Sequence, residues 1–460
     1  MKKRFIRTNR AYIVSFLATF AIAALIGCMA LAQTTAGVPR ETEAGIRAEV
    51  AKLFSGWEED ENLVRLPELK EDVLSKLRTY NDAQSNVACD EALKNIVKIL
   101  KDKDLPNATR LNAMILAGEL KVGRPGERDR IEVPFEPARK MLTSALKLSD
   151  AYLRVAAMRG LINHAYYLGR NPRMTKECAE LALVLDPFAF APHSETGIDS
   201  PEVEWMRLLA IRGLGYLRVD ANGRAEKILH IICDKDEYSI VVPQPRPGRL
   251  PDRAEVERAR SALDVRLTAV EALARMNLNK NSLGKTTTAE AVEAIAKFGA
   301  EAVAFEWRQK FVLRRGSESE GMTYVTEDSF NSMDPEVNDL MIRSLMQRVK
   351  TVSNVFIFLF KQSETSGILQ IANAAEKDRI GKIRKHFETI NELYDNLRRP
   401  PRPTQPRTKE GEAPTSMEPE RRDPQFLGER TRLRVKLRDL YEFLGMDASV
   451  LTETTRPTGR

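Results

Sequence analysis

Apolar residues recur at helical spacing along much of the chain, and one short phrase of sequence returns four times. The phrase is an arginine, an apolar residue, any residue, an alanine and a second apolar residue. It begins at Arg110, Arg154, Arg207 and Arg266. On a helix, the apolar positions one, four and seven after the arginine form a stripe, and the alanine at position three lets a neighbouring helix approach closely. The pattern therefore predicts four phrase helices with a surface suited to stacking.

Each phrase helix is preceded by another amphipathic segment, so four helix pairs are expected. The preceding segments are 88–100, 138–148, 176–185 and 224–232. This arrangement over about residues 85–280 resembles the HEAT-type α-solenoid family, whose second helix often carries an early arginine followed by alanines and leucines. The arginines are 44, 53 and 59 residues apart, whereas such repeats run at about 40 to 47 residues. The resemblance implies an all-α fold with a HEAT-like solenoid over 85–313, preceded by a helical segment over 40–84.

The extra length lies between the two helices of the third and fourth pairs, at 186–200 and 233–257. Connections at equivalent places project from one edge of a solenoid, where partners often bind. The longer insertion contains a predicted five-residue strand that begins at Tyr238, followed by four prolines interleaved with Arg246 and Arg249. These three residues are candidate binding residues for a protein partner. The alternative is two solvated loops without a partner.

A second candidate surface is the concave one, to which the phrase helices would contribute. Arg159 and Arg212 occupy the same place in adjacent phrases, five residues after the leading arginine. Stacking would align them into a basic ladder suited to carboxylate or phosphate groups. Ile115 and Glu271 fill that place in the flanking phrases, so the ladder has two rungs. A pair of solvated arginines is the alternative interpretation.

The pattern changes after the repeats. Residues 287–313 predict one shorter helical pair with Trp307 packed inside it, and 314–334 is polar and glycine-containing, like a linker. Residues 335–398 then carry two apolar seams with alternating three- and four-residue spacing, which is typical of antiparallel helix packing. We therefore expect a helical hairpin over 335–398 that covers the open end of the solenoid.

The C-terminal region combines a tether with a basic helix. Residues 399–425 are rich in proline and charge, a composition that predicts a disordered linker. Residues 429–445 then follow helical spacing, with basic residues at its start that include Arg432 and Arg434. A basic amphipathic helix on a tether is suited to docking on an anionic membrane surface. The alternative is that it packs back on the same chain.

The first 32 residues predict where the protein is located. Five positive charges within the first ten residues precede an uncharged, mostly apolar run that ends at Ala32, which is the pattern of an export signal. Cleavage after Ala32 would release the protein, a lipobox-like sequence ending at Cys28 would make that cysteine a lipidation site, and an uncleaved signal would remain as a membrane anchor. All three outcomes place the chain in the periplasm or cell envelope.

Composition narrows the classes of function. The 460 residues include 43% apolar residues, which is enough for a sizeable core. The net charge is +7, and the five signal charges leave only +2, so nucleic acid is not an expected partner. The remaining cysteines, Cys89, Cys178 and Cys233, are odd in number and far apart. This argues against a disulfide framework and favours small hydrophobic residues on buried helix faces.

No motif predicts chemistry. The sequence 284–286, Gly-Lys-Thr, resembles the end of a phosphate-binding loop but has Asn279 where that motif needs glycine. His193, Glu195 and Asp199 lie close together but lack a second histidine or cysteine at ligand spacing. We therefore expect no cofactor, no metal site and no catalytic activity.

Three classes of function follow. The favoured one is a non-catalytic scaffold of the bacterial cell envelope that binds an envelope protein through its solenoid surface and inserted loops. The alternative is a protein that binds an anionic membrane surface or an envelope polymer. The third is an enzyme whose residues no local motif reveals.

Overall fold

The structure is a computed structural model. It describes residues 38–123, 132–191, 200–235, 237–240, 253–308, 311–313, 322–324, 335–361, 366–398 and 425–451. The chain divides into two compact units, Met1–Val219 and Asp220–Arg460. Helices dominate both, and the strands of the described ranges form two small two-stranded sheets. The predicted all-α class is confirmed, whereas the HEAT-like solenoid stays a prediction.

The first unit has eight α-helices within its described residues. They are α1 (Arg40–Lys52), α2 (Leu66–Leu77), α3 (Asp82–Lys101), α4 (Asn107–Glu119), α5 (Glu136–Ala145), α6 (Ala151–Leu168), α7 (Thr175–Ala189) and α8 (Pro201–Leu217). A 3-10 helix, Asp60–Arg65, precedes α2. Between α4 and α5, strand β1 (Lys121–Val122) pairs antiparallel with β2 (Val133–Pro134).

The first unit contains three of the phrase helices, α4, α6 and α8. Helix α4 packs on α6, α6 packs on α8, and each also packs on the helix that precedes it. The alanine three residues after the leading arginine is fully buried in all three, as is the apolar residue that follows it. These residues are Ala113, Ala157, Ala210, Met114, Met158 and Ile211. The stripe expected from the sequence is therefore the packed face.

The leading arginines connect successive phrase helices. Arg110 of α4 donates from Nη2 to Asp150 Oδ2 (2.8 Å) and from Nη1 to the Tyr152 hydroxyl (2.9 Å). Arg154 of α6 holds Glu202 of α8 by two bonds, Nε to Oε1 (2.5 Å) and Nη2 to Oε2 (2.7 Å). Both acids stand at the start of the next phrase helix, where the helix dipole also stabilises negative charge.

Two of the leading arginines, Arg154 and Arg207, bind main-chain carbonyl groups that follow the first helix of their pair. Arg154 donates from Nη1 to Ser149 O (2.8 Å), just after α5, and Arg207 donates from Nη2 to Ala191 O (3.2 Å), just after α7. Carbonyl groups beyond a helix C-terminus have no partner in the helix itself. Each of these arginines therefore fixes the connection between the two helices of its own pair.

The second unit contains six α-helices within its described residues. They are α9 (Arg224–Cys233), α10 (Arg253–Arg275), α11 (Thr288–Arg308), α12 (Pro335–Lys361), α13 (Ala374–Arg398) and α14 (Gln425–Phe443). Short 3-10 helices occupy Ile368–Gln370 and Ala448–Leu451. Strand β3 (Phe311–Leu313) pairs antiparallel with β4 (Met322–Tyr324), with Phe311 opposite Tyr324.

The leading arginine of the fourth phrase, Arg266, also binds a main-chain carbonyl group at the end of the first helix of its pair. Arg266 of α10 is buried and donates from Nε (2.9 Å) and Nη2 (2.7 Å) to Ile232 O, in the last turn of α9. Its guanidinium lies 3.9 Å from the centre of the Phe298 ring. Burial lowers the pKa of Arg266 to about 10, so the side chain is still charged at neutral pH.

Aromatic rings from three helices form the centre of the second unit. Phe356 of α12 stacks on Phe387 of α13 at 5.0 Å between ring centres and meets Phe298 of α11 edge to face at 5.7 Å. A Cβ atom on Gly299 would stand 2.6 Å from Phe387. The glycine in α11 therefore admits rings that a larger residue would exclude.

Glu306 of α11 is a buried acid held by two arginines, with only 2% of its side chain exposed. Arg260 of α10 donates from Nη2 to Oε2 (3.1 Å) and also bonds Oε1, and Arg348 of α12 donates from Nε to Oε2 (3.0 Å). The carboxylate therefore fixes three helices relative to one another. Removing either arginine would leave only one arginine to balance the buried negative charge of Glu306.

Three expectations for this region are wrong. Within residues 287–313, Thr288–Arg308 form one continuous helix, α11, where a helical pair was expected, and Gly299 contacts aromatic rings in the middle of this helix. The strand predicted from Tyr238 is not present in its described part, 238–240, where the Tyr238 carbonyl faces Arg266 Nη1 at 3.4 Å. The stretch 314–334, expected to be a linker, contributes strand β4.

The predicted hairpin region 335–398 contains α12 and α13, which pack along the expected seams. Val349, Val352 and Phe356 of α12 are buried, as are Ile383 and Ile390 of α13. The predicted 399–425 linker lies outside the described residues except for its last position.

Helix α14, at the predicted terminal helix 429–445, packs on α13 and α11. Leu433, Leu437 and Leu440 are fully buried. Arg379 of α13 donates from Nη2 to Phe443 O at the end of α14 (3.2 Å). The apolar face of α14 is therefore covered by its own chain.

The cysteines of the described residues are free. Cys89 and Cys178 are buried on α3 and α7, and Cys233 is half-buried at the end of α9. Burial raises the pKa of the Cys89 thiol to about 12 and that of Cys178 to about 11. These thiols therefore stay protonated and pack as small apolar side chains.

Helices α4 and α6 cross at two glycines, and this contact can be tested. A Cβ atom on Gly118 would stand 2.4 Å from Gly160 Cα, closer than atoms can approach without backbone movement. We expect Gly118→Ala to destabilise the first unit by about 1–3 kcal/mol, measured by urea denaturation. Gly45→Ala in α1 is the matched control, because nothing lies within 4 Å of its Cβ position. That control should stabilise by about 0.5–1 kcal/mol, and an equal gain in both variants would contradict the close crossing.

Candidate functional site

A groove lies beside the Gly118–Gly160 crossing in the first unit. It has a volume of about 330 Å³ and is bounded by α2, α4, α6 and the β1–β2 strands. Its apolar lining is Leu74, Leu77, Ile115 and Ala156, and its polar lining is Arg78, Glu119, Lys121, Glu132, Arg159, Asn163 and Tyr167. We call this site the Arg159 groove. Because the two glycines have no side chains, main-chain atoms also form part of its surface.

The acidic residues of the Arg159 groove are paired with lysines. Lys121 Nζ lies 2.9 Å from Glu132 Oε2 and 3.9 Å from the centre of the Tyr167 ring. Burial alone would lower the pKa of Lys121, but Tyr167 and Glu132 together raise it. Glu119 receives Lys70 Nζ at 3.0 Å. Both acidic residues of the groove, Glu119 and Glu132, are therefore already paired with a lysine.

The two arginines of the groove differ in their partners. Arg78 donates from Nη1 to Glu71 Oε1 (2.9 Å), an exposed ion pair of small expected energy. Arg159 is exposed and makes no hydrogen bond or ion pair with any described residue. Its guanidinium is therefore the cation of this groove that is available to an anionic group.

Asn163 stands one turn after Arg159 on the same face of α6. Its Nδ2 donates to Gly118 O (2.8 Å), a bond that links α6 to α4. Asn163 lines the groove, and no described residue donates a hydrogen bond to its Oδ1. The side chain is thus oriented by one bond and retains an acceptor.

Only one of the two arginines of the predicted ladder lines the groove. Arg159 lines the groove, whereas Arg212, at the same place on α8, is exposed and does not line it. The two side chains therefore have different surroundings despite equal positions in the phrase.

The remaining predicted site residues are not brought into this groove. Tyr238 is buried, with 4% of its surface exposed. Arg432 and Arg434 are exposed on α14. Arg246, Arg249 and the lipidation candidate Cys28 lie outside the described residues.

Sequence reasoning identified Arg159 but missed the rest of the groove. Lys121, Glu132 and Asn163 belong to no motif, and their proximity depends on the β1–β2 pairing and the glycine crossing. Gly160 did carry a signal, since it is the small residue six positions after Arg154. Gly118 stands eight positions after Arg110 and falls outside that spacing.

Neither a spanning helix nor a metal cluster is found in the described ranges. None of the helices in these ranges combines the length with the continuous apolar sequence that a membrane span requires. No group of three or more histidine, cysteine, aspartate or glutamate residues stands close enough there to hold a metal ion. His193, Glu195 and Asp199 lie outside these ranges.

No protein-family model, no curated protein and no solved structure matches the chain.

His164 is fully buried on α6, immediately after Asn163. Burial is the main cause that lowers its pKa to about 3, and the positive charges of Arg139 and Lys121 add to the effect. The ring is therefore neutral in the folded protein at neutral pH, where it packs within the first unit.

The buried histidine predicts a pH dependence of stability. Between pH 6.5 and about 3, the unfolded chain binds a proton at His164 that the folded chain does not bind. The free energy of unfolding should fall as pH decreases through this window, by up to about 1.4 kcal/mol per pH unit from this residue. Urea denaturation of wild type, His164→Leu and His164→Gln between pH 7 and 4 measures the slope. Both variants should show a shallower slope, and an unchanged slope in both would contradict the assignment.

Proposed function

We propose that this chain is a non-catalytic interaction protein whose first unit binds a partner at the Arg159 groove. The observation that carries the proposal is an open groove in which an exposed guanidinium has no partner within the described residues, while its neighbours are paired. Arginine with free donors is well suited to binding an anionic group on another molecule.

The charges of the groove support binding better than proton transfer. A general acid or base works best when its pKa lies near the operating pH. The raised pKa of Lys121 keeps this lysine protonated, and its pairing with Glu132 occupies both groups. The arrangement favours a site that holds an anion in place.

The predicted export signal supports a partner in the cell envelope. Its charged start and apolar run, within residues 1–32, are features of sequence that direct a chain out of the cytoplasm. The proposed partner is therefore an envelope protein that presents an acidic group to the groove.

Charge reversal at Arg159 tests the proposal. Affinity capture from detergent-solubilised envelopes, with the captured proteins identified by mass spectrometry, compares wild type, Arg159→Glu and Arg212→Glu. We expect one or more proteins to be lost with Arg159→Glu and retained with Arg212→Glu, because only Arg159 lines the groove.

The matched control separates a groove effect from a general effect of charge. Both substitutions replace an exposed arginine at the same place in the phrase, and thermal unfolding should show both variants folded. Equal retention with both variants, or equal loss with both, would contradict binding at the Arg159 groove.

An anionic surface is the second candidate, favoured by the exposed side of α14. Arg432 and Arg434 are exposed there, while Leu433 and Leu437 are buried against the chain. Binding by this helix as it is packed would be electrostatic, at about 1 kcal/mol for each basic residue near an anionic membrane. It would weaken as salt screens the charges.

Liposome sedimentation tests the second candidate. Wild type should bind vesicles containing anionic lipid at low salt, and Arg432→Glu/Arg434→Glu should lose most of that binding. Vesicles of neutral lipid and the Arg212→Glu variant are the controls. If the double variant binds anionic vesicles as well as wild type does, α14 is not the binding surface.

A further inference from the structure

The geometry points to a ligand class for the Arg159 groove: a C-terminal protein carboxylate carried by an apolar terminal residue. This inference deepens the proposed function and rests on it. The carboxylate would bind the Arg159 guanidinium, and the apolar side chain would lie against the apolar lining of the groove.

The size of the groove favours a short chain end. Its volume of about 330 Å³ is at the lower limit of small-molecule sites, which run from about 300 to 1,000 Å³. A space of this size accommodates one or two residues. The apolar side chains Leu77, Ile115 and Ala156 line it together with the charged groups, so it combines apolar surface with an unpaired cation.

The charge balance favours a monoanion over a phosphate group. The groove is lined by three basic side chains and two acidic ones, which leaves an excess of one positive charge. A singly charged carboxylate balances this excess. A doubly charged phosphate would exceed it and would also stand near Glu119 and Glu132, where like charges repel.

Helix α6 presents the polar groups that a chain end needs. Arg159 and Asn163 are one turn apart, which places them about 5–6 Å apart on one helix face. Arg159 offers donors to a carboxylate, and Asn163 Oδ1 offers an acceptor to the amide N–H of the terminal residue. The Nδ2 bond to Gly118 O fixes the Asn163 side chain and leaves Oδ1 without a hydrogen-bond donor among the described residues.

Isothermal titration of the purified protein with three peptides tests the inference. The probes are acetyl-Ala-Leu with a free carboxylate, its C-terminal amide, and acetyl-Glu-Leu amide, which carries only a side-chain carboxylate. We expect the free acid to bind at least about tenfold more tightly than either amide, because neither amide has a carboxylate on the terminal residue to pair with Arg159. Inorganic phosphate should not compete.

Two variants assign binding to the groove. Arg159→Gln should weaken binding of the free acid by at least about tenfold, and Arg212→Gln should leave it unchanged. Thermal unfolding checks that both remain folded. The inference is overturned if the free acid shows no binding at 10 mM, if the amides bind equally well, or if Arg159→Gln binds like wild type.

The outcomes also separate this inference from the proposed function. If Arg159→Glu abolishes capture of a partner but acetyl-Ala-Leu does not bind, the groove binds proteins through another chemistry and the ligand class is wrong. If the peptide binds but capture does not depend on Arg159, the ligand class stands and the proposed partner site is wrong.

Discussion

The hydrogen bonds made by one arginine on each phrase helix are the interaction on which the packing of the helix pairs depends. Because a guanidinium has five donors, one side chain can bond a carboxylate and a main-chain carbonyl at the same time. Arg154 does both, holding Glu202 at the start of α8 and the carbonyl groups that follow α5. Arg110 supplies the carboxylate contact, and Arg266 supplies the carbonyl contact. Forming such bonds costs the arginine little side-chain conformational entropy where packing already encloses the guanidinium.

Close approach of the phrase helices follows from the small residues beside these arginines. The alanine at position three is buried in each phrase helix, and at the α4–α6 crossing two glycines bring main-chain atoms together. This crossing brings the Arg159 face of α6 close to α4, while α2 and the β1–β2 strands complete the walls of the groove. The contact that stabilises the first unit and the site proposed for a ligand are therefore parts of one arrangement.

Periodicity predicted which residues would be buried but not which elements they would meet. The phrase predicted Ala157 and Met158 on the packed face of α6, and both are fully buried. It could not identify Glu202 as the partner of Arg154, because the two are 48 residues apart and neither belongs to a recognisable pair. Residues 287–313 were predicted to contain two helices, but the structure has one helix there, and Gly299 contacts aromatic rings within it. Tertiary contacts decide which residues pair and whether a helix continues, and these contacts cannot be deduced from the local sequence.

Equal positions in a repeated phrase do not give equal surroundings, as Arg159 and Arg212 show. Their places in α6 and α8 are equivalent, so the sequence predicted either a basic ladder of two rungs or a pair of solvated arginines. Arg159 faces α2 and the β1–β2 strands, which lie outside the phrase and enclose a groove around it. Arg212 is exposed without lining that groove. A guanidinium beside apolar walls and paired acids can select an anion by shape and charge, whereas a solvated one attracts anions only through a screened field. The surroundings that distinguish Arg159 from Arg212 therefore come from elements that the repeat does not encode.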